Sequence, residues 1–258
     1  MRISVPLETH PLESRVAVTP ETVKKYLQAG HQVAIQKSAG LKAGVTDAAY
    51  QAVGATIVEQ AKDAFAGDLV LKVRSPDANE IGLLNKGSSV VACFNPHRNE
   101  LLPTLAQSGV AAFSMELVPR ITRAQSMDVL SSQANIAGYK AVLTAAQHYP
   151  RYFPMFMTAA GTVKAARVLI MGAGVAGLQA IATAKRLGAV VEAFDVRPAA
   201  KEQVESLGAK FIEVPVEESG EGSGGYAKEM SDEYKRKQGE LVHERAQLAD
   251  IIITTALI

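Results

Sequence analysis

The 258-residue chain is 48 % hydrophobic and 21 % charged, an ordinary globular composition that excludes a disordered or fibrous polymer. Its 27 Lys and Arg against 26 Asp and Glu leave a formal charge of +1, which argues against a nucleic-acid partner; no metal-ligand spacing is present. The lone Cys93 excludes an internal disulfide and fits a reducing compartment, Pro6 and Glu8 interrupt any secretory leader, and the longest uncharged stretch, 168–184, falls short of the roughly 20 residues of a membrane span.

Short β-rich runs alternate with amphipathic helices, the pattern of a parallel sheet covered on both faces. Ile3–Val5 predicts the first strand. Thr19-Pro20-Glu21 opens a helix with a hydroxyl N-cap, proline at the first helical position and an acid in the first turn. Val23, Tyr26 and Leu27 recur at helical spacing, and Gly30 marks the stop. Strands over 33–35, 56–58, 69–73, 89–94 and 110–113, with helices over 48–53 and 101–107, complete a small doubly wound domain. Residues 119–140 then break the rhythm, beginning with a polar, non-helical excursion over 119–128. A long helix over 129–148, ended by Pro150 and Pro154, reads as a bridge. The expected division is 1–128, a linking segment 129–150, and a second domain 151–258.

The second domain opens on the strand Arg167–Met171, followed by Gly172-Ala173-Gly174-Val175-Ala176-Gly177 and a helix with Leu178, Ile181 and Ala182 on one face. A strand over 190–194 closes on Asp195. A helix–strand pair spans 201–214, then comes a long acidic, glycine-rich loop, a charged helix and the strand 251–255. A complete domain of this type has six strands and only about four can be counted, so the natural polypeptide is expected to continue beyond Ile258. The fold class is therefore α/β, with two doubly wound Rossmann-like domains, the second incomplete at its C-terminus.

The glycine run carries the chemistry. It lies between a strand and a helix, with an acid at the end of the next strand, which is the context that gives Gly-x-Gly-x-x-Gly its meaning. Gly172 permits the tight turn, Gly174 lets the backbone approach a pyrophosphate, and Gly177 lets helix and strand pack closely. Asp195, 21 residues beyond Gly174, is positioned for the adenosine ribose hydroxyls and repels a 2′-phosphate, which predicts NAD(H) over NADP(H). Arg197 is the opposing signal, since an arginine nearby can serve a 2′-phosphate. In the excursion, Arg120 and Asp128 can lock a loop and leave Gln125 to address a ligand, or the whole cluster can be a solvated charged loop. Arg15 and Lys72 could hold a carboxylate, or be surface charges. His97 has the same double reading, catalytic or structural, and Cys93 reads as a small buried hydrophobe.

Together with Arg15–Glu21, Leu130-Ser131-Ser132, Ile136–Tyr139, Phe194–Pro198 and Gly224–Ser231, these motifs resemble the NAD(H)-binding domain I of the alpha subunit of proton-translocating nicotinamide nucleotide transhydrogenase. The resemblance implies NAD(H) held here, NADP(H) held on a partner domain III, and hydride passing between them. It also implies coupling to proton movement through a membrane domain II, and a homodimer peripheral to the cytoplasmic side of the inner membrane. Residue by residue it implies that Arg120 and Asp128 hold a loop beside the nicotinamide, that Gln125 reaches the nucleotide with Ser126 and Met127 beside it, and that Ser131 lies near the carboxamide. It further implies that Val175 and the glycines line the pyrophosphate, that Asp195, Val196 and Arg197 receive the adenosine, and that Gly225 and Tyr226 belong to a loop that closes over the nucleotide. No acid, base or metal is required of such a chain. Alanine dehydrogenase is a second resemblance: Arg15 and Lys72 match its carboxylate holders, although Asn95-Pro96 separates His97 from the preceding strand. A non-catalytic NAD-sensing module is a third reading of the same fingerprint.

Overall fold

In a computed structural model that describes residues 1–215 and 230–256, Arg2–Val5 (β1), Gln32–Gln36 (β2), Thr56–Val58 (β3), Leu69–Arg74 (β4), Ser89–Cys93 (β5) and Ala111–Ser114 (β6) form one parallel sheet. The strand order is β3-β2-β1-β4-β5-β6, with Val5 beside Ile35 and Ile3 beside Leu69. The order reverses between β1 and β4, so the crevice of this unit opens at the carboxyl ends of those two strands.

Local chemistry explains the helices of this unit. The Thr19 hydroxyl accepts from the Thr22 N–H to start α1 (Pro20–Gln28), and Thr46 caps α2 (Asp47–Ala52) in the same way. Val23 of α1 and Tyr50 of α2 pack against Ile3, Val5 and Ile35, and the buried Tyr50 hydroxyl donates to the Val18 carbonyl at 2.8 Å. Phe65, Val70, Ile81, Val90 and Leu105 form a second apolar cluster.

Several helical segments depart from the sequence expectation. Ala61–Phe65 (α3) and Ala78–Ile81 (α4) are too short to show a 3.6-residue period. α4 is held by a capping box in which Asp77 and Glu80 each satisfy the other's main-chain N–H. After Leu102–Gln107 (α5), the excursion expected to be non-helical winds Thr122–Met127 into a 3₁₀ helix. Its six residues hold only two apolar side chains, Ala124 and Met127, of which Ala124 is buried, too few to announce a helix.

Contacts divide the chain into Met1–Asp128 and Val129–Ile258. The second unit begins with Val129–His148 (α6), the helix read from sequence as linking 129–150, which packs within that unit on α7 (Val175–Arg186). The approach is close: a β-carbon on Gly138 would lie 2.0 Å from the Ala176 carbonyl oxygen, so only glycine fits there. An antiparallel hairpin, Phe156–Thr158 (β7) and Gly161–Val163 (β8), precedes the main sheet. That sheet is parallel and contains Arg167–Met171 (β9), Val190–Phe194 (β10), Lys210–Ile212 (β11) and Ile251–Thr254 (β12), in the order β11-β10-β9-β12. Ala200–Ser206 (α8) and Asp232–Leu248 (α9) are the other α-helices of this unit among the described residues. Val142, Val168, Ile170, Ile181 and Val191 fill one core of this unit, while Leu169, Phe194 and Ile212 meet Met230 and Tyr234 in another. Among the described residues, no helix is long and apolar enough to cross a membrane.

Candidate functional site

Gly172 and Gly174, between β9 and α7, and Gly177, in the first turn of α7, have three different surroundings. Gly172 sits at φ +96°, where side chains are strained, and a β-carbon there would lie 2.8 Å from the Ala256 nitrogen. Its N–H donates to the Phe194 carbonyl at 2.8 Å, and its carbonyl accepts from the Thr255 hydroxyl at 2.9 Å. At Gly177 a β-carbon would lie 1.8 Å from the Gly172 carbonyl oxygen, so the helix can approach the strand end only without a side chain. At Gly174 nothing lies within 4 Å of such a carbon. The strand–helix packing that excludes a side chain at Gly172 and Gly177 thus places no constraint on Gly174, and the space before it is available to a ligand.

Gly174 is also the N-cap of α7, so no side chain caps the first turn. The N–H groups of that turn and the positive end of the helix macrodipole are left to an incoming anion. Val175, the first helical residue, is exposed.

Asp195 follows β10, the immediate neighbour of β9. Its residue is only 9 % exposed. Oδ2 accepts from the Ala173 N–H at 2.7 Å, which ties the carboxylate to the glycine loop. Oδ1 accepts from the Arg197 N–H at 2.9 Å, and the Arg197 guanidinium closes a fork with Nε on Oδ1 at 2.9 Å and Nη2 on Oδ2 at 2.8 Å. Burial pushes the carboxyl toward protonation, but these hydrogen bonds outweigh it and hold its pKa below the usual aspartate value. Val196, between the two, is half-buried.

The remaining predicted residues fall in several places. Arg120, Gln125, Ser126 and Met127 are exposed and Asp128 half-buried, all at or beside the 3₁₀ helix of the first unit. Ser131 lies in the first turn of α6 in the second unit, half-buried. Gly225 and Tyr226 lie outside the described residues.

At the strand ends of the first unit, Lys72 and Arg15 are already committed to carboxylates. The Lys72 side chain, 1 % exposed, lies 2.9 Å from Glu80 and 3.4 Å from Glu8. Arg15 is bound by both Nε and Nη2 to Glu13, each at 2.7 Å. Arg15, burial and Arg74 act on Glu13 in that order of size, and the two arginines prevail, holding its pKa down at about 2. His97 is exposed in the turn after β5. Cys93 is half-buried, and burial followed by Glu116 pushes its thiol up, away from reactivity. Among the described residues, no cluster of His, Cys, Asp or Glu could hold a metal ion.

Sequence reasoning did not single out Thr255, which braces the glycine loop, or Glu116, which accepts from the Phe94 and Asn95 N–H groups at 3.0 and 2.7 Å. Both act across long sequence separations, so no local spacing announces them. The Asp77-x-x-Glu80 capping box was a local signal and could have been read.

The chain matches two family descriptions: "Alanine dehydrogenase/PNT, N-terminal domain" over residues 4–137 and "Alanine dehydrogenase/PNT, C-terminal domain" over residues 141–258. It is 51 % identical to an NAD(P) transhydrogenase subunit alpha of Rhodospirillum rubrum, across all of this chain and 70 % of that one. The crystal structure of the transhydrogenase of Sinorhizobium meliloti superposes with a TM-score of 0.88 at 49 % identity, over all of this chain and 70 % of its own length. An L-alanine dehydrogenase structure superposes with a TM-score of 0.73 at 31 % identity, over 82 % of this chain and 60 % of that one.

Proposed function

The chain belongs to the alanine dehydrogenase/PNT family as an NAD(P) transhydrogenase alpha-subunit oxidoreductase, and on that premise we propose that it holds NAD(H) and presents it for hydride exchange with NADP(H) on a partner domain. The observation that carries the cofactor assignment is the open approach to Gly174. It lies before an uncapped helix N-terminus and beside a buried, ionised Asp195. That set fits a dinucleotide: N–H groups and a helix dipole for the pyrophosphate, and a carboxylate for a ribose diol.

When bound, the nicotinamide supplies the hydride chemistry. The residues of this chain bind, orient and exclude water. Gly172 and Gly177 fix the loop, Gly174 and Val175 border the pyrophosphate, and Asp195 with Val196 and Arg197 receives the adenosine. Arg120, Gln125, Asp128 and Ser131, with Ser126 and Met127, are assigned to the nicotinamide end, and Gly225 and Tyr226 to closure over the nucleotide. These last assignments rest on the resemblance. Orientation of two rings in a water-poor site can supply much of the rate without an acid or base from the protein. The same reading makes the protein a homodimer, peripheral to the cytoplasmic face of a membrane through a proton-conducting partner domain.

The alanine dehydrogenase reading has less support. Its two carboxylate holders would be Lys72 and Arg15, and both are already bound to glutamates. The test is to mix the full-length protein with a separate NADP(H)-binding domain and follow exchange onto a spectroscopically distinct NAD analogue. Exchange supports the proposal. Tight NADH binding without exchange would favour a sensing module, and alanine-dependent reduction of NAD⁺ would favour the dehydrogenase.

A further inference from the structure

A carboxylate accepts about four hydrogen bonds, and on Asp195 all four positions are filled from within the chain. Two of the donors are main-chain N–H groups, of Ala173 and Arg197, and the fold fixes them. The other two are the Nε and Nη2 atoms of the Arg197 guanidinium, on a side chain that is 23 % exposed and not fixed by the main chain. The fork presents two N–H donors, one to each carboxylate oxygen. A ribose with free 2′ and 3′ hydroxyls presents two donors of the same spacing class to the same two oxygens.

We propose that the Arg197 guanidinium is a resident occupant of the ribose site, and that a nucleotide binds Asp195 by exchanging its 2′,3′-diol for that fork. The proposal deepens the NAD(H) reading and rests on it. Exchange makes Arg197 a specificity-determining residue. A diol returns to Asp195 the two hydrogen bonds that departure of the guanidinium removes. A 2′-phosphorylated ribose returns one at most, from its 3′ hydroxyl, and sets a dianion against the buried carboxylate, leaving Asp195 at least one hydrogen bond short. Selection against a 2′-phosphate is thus imposed by the bond that has to be broken as well as by the charge of the acid. Arginine at this position, which in sequence argues for a 2′-phosphate, acts here in the opposite sense, because its charge is already bound.

The test follows the Arg197 Nε–H resonance in full-chain protein labelled with ¹⁵N-arginine, assigned by its loss in Arg197→Lys. Adding ADP, which carries the diol and phosphates without nicotinamide, is expected to move that resonance to the position of a solvent-exposed arginine and to speed its solvent exchange severalfold; NADH does the same. Adenosine 2′,5′-bisphosphate at equal concentration leaves it in place. In Asp195→Asn the resonance begins at or near the released position, and ADP moves it no further. NADH binding, measured independently by calorimetry, with an unmoved Arg197 resonance would overturn the exchange and leave the cofactor assignment standing. Equal movement with the 2′-phosphorylated nucleotide would overturn the specificity. Absence of NADH binding would overturn the reading on which both depend.

Discussion

Alanine at Gly174 and at Gly177 separates binding from folding within one turn of chain. At Gly177 the new β-carbon would lie 1.8 Å from the Gly172 carbonyl oxygen, against an ordinary contact near 3.4 Å, so helix and strand must part by about 1.6 Å. Overpacking of this kind costs about 1–3 kcal/mol, and a unit of this size then melts lower by roughly 3–10 °C. At Gly174 the new carbon meets nothing within 4 Å, and φ of −76° suits any residue. The stabilisation from a less flexible unfolded chain, about 0.4–1 kcal/mol, is offset by the poorer N-cap that alanine makes. Stability should therefore stay within about 1 kcal/mol of wild type. The methyl group nevertheless occupies the approach to the helix N-terminus, and NADH affinity should fall tenfold or more, about 1.4 kcal/mol at the least. Thermal melts and calorimetric NADH titrations of the two variants read both quantities. Gly174→Ala that binds NADH like wild type, or that melts early, refutes the assignment of this loop.

Asp195→Asn should weaken NADH binding by about 1–3 kcal/mol through loss of a charged acceptor; an unchanged dissociation constant discredits the ribose assignment. Gln125→Asn should slow hydride exchange more than it weakens NADH binding, because shortening the side chain misplaces the ring; equal losses argue against positioning. Glu13 gives the pH dependence. With its folded pKa depressed to about 2 from 4.5, its stabilising effect is complete above the unfolded value and is lost as pH falls from about 4.5 through 2. Acid titration of wild type against Glu13→Gln, followed by circular dichroism, should show a shallower acid loss in the variant and lower stability at neutral pH. Parallel curves refute it.

Much of the fold is legible because its determinants are local. The Thr19 cap with Pro20, the stop at Gly30 and the apolar runs of β1, β2 and β9 each need only a few neighbouring residues to be read. The glycine loop is legible for the same reason, since the positive φ at Gly172 and the approach of Gly177 to the Gly172 carbonyl are local, although Thr255 and Ala256 crowd Gly172 from across the sheet. α3, α4 and the β7–β8 hairpin were not, being too short to show a period. The 3₁₀ form of Thr122–Met127 escaped because a six-residue segment with only Ala124 and Met127 apolar is too short and too polar to show a period. In the site itself the position of Asp195 was readable, but its saturation was not. That depends on the rotation of the Arg197 side chain and on the Ala173 N–H, twenty-two residues away. Lys72 likewise looked available in sequence, and only the tertiary approach of Glu8 and Glu80 occupies it.

The central claim is that the glycine loop and Asp195 of the second unit receive an adenosine ribose bearing a free diol. Parallel calorimetric titrations of the full-length protein with NADH and with NADPH address it directly. The account predicts that NADH binds more tightly by tenfold or more, about 1.4 kcal/mol, and that Asp195→Asn narrows the gap. NADPH binding as tightly as NADH, or more so, contradicts it.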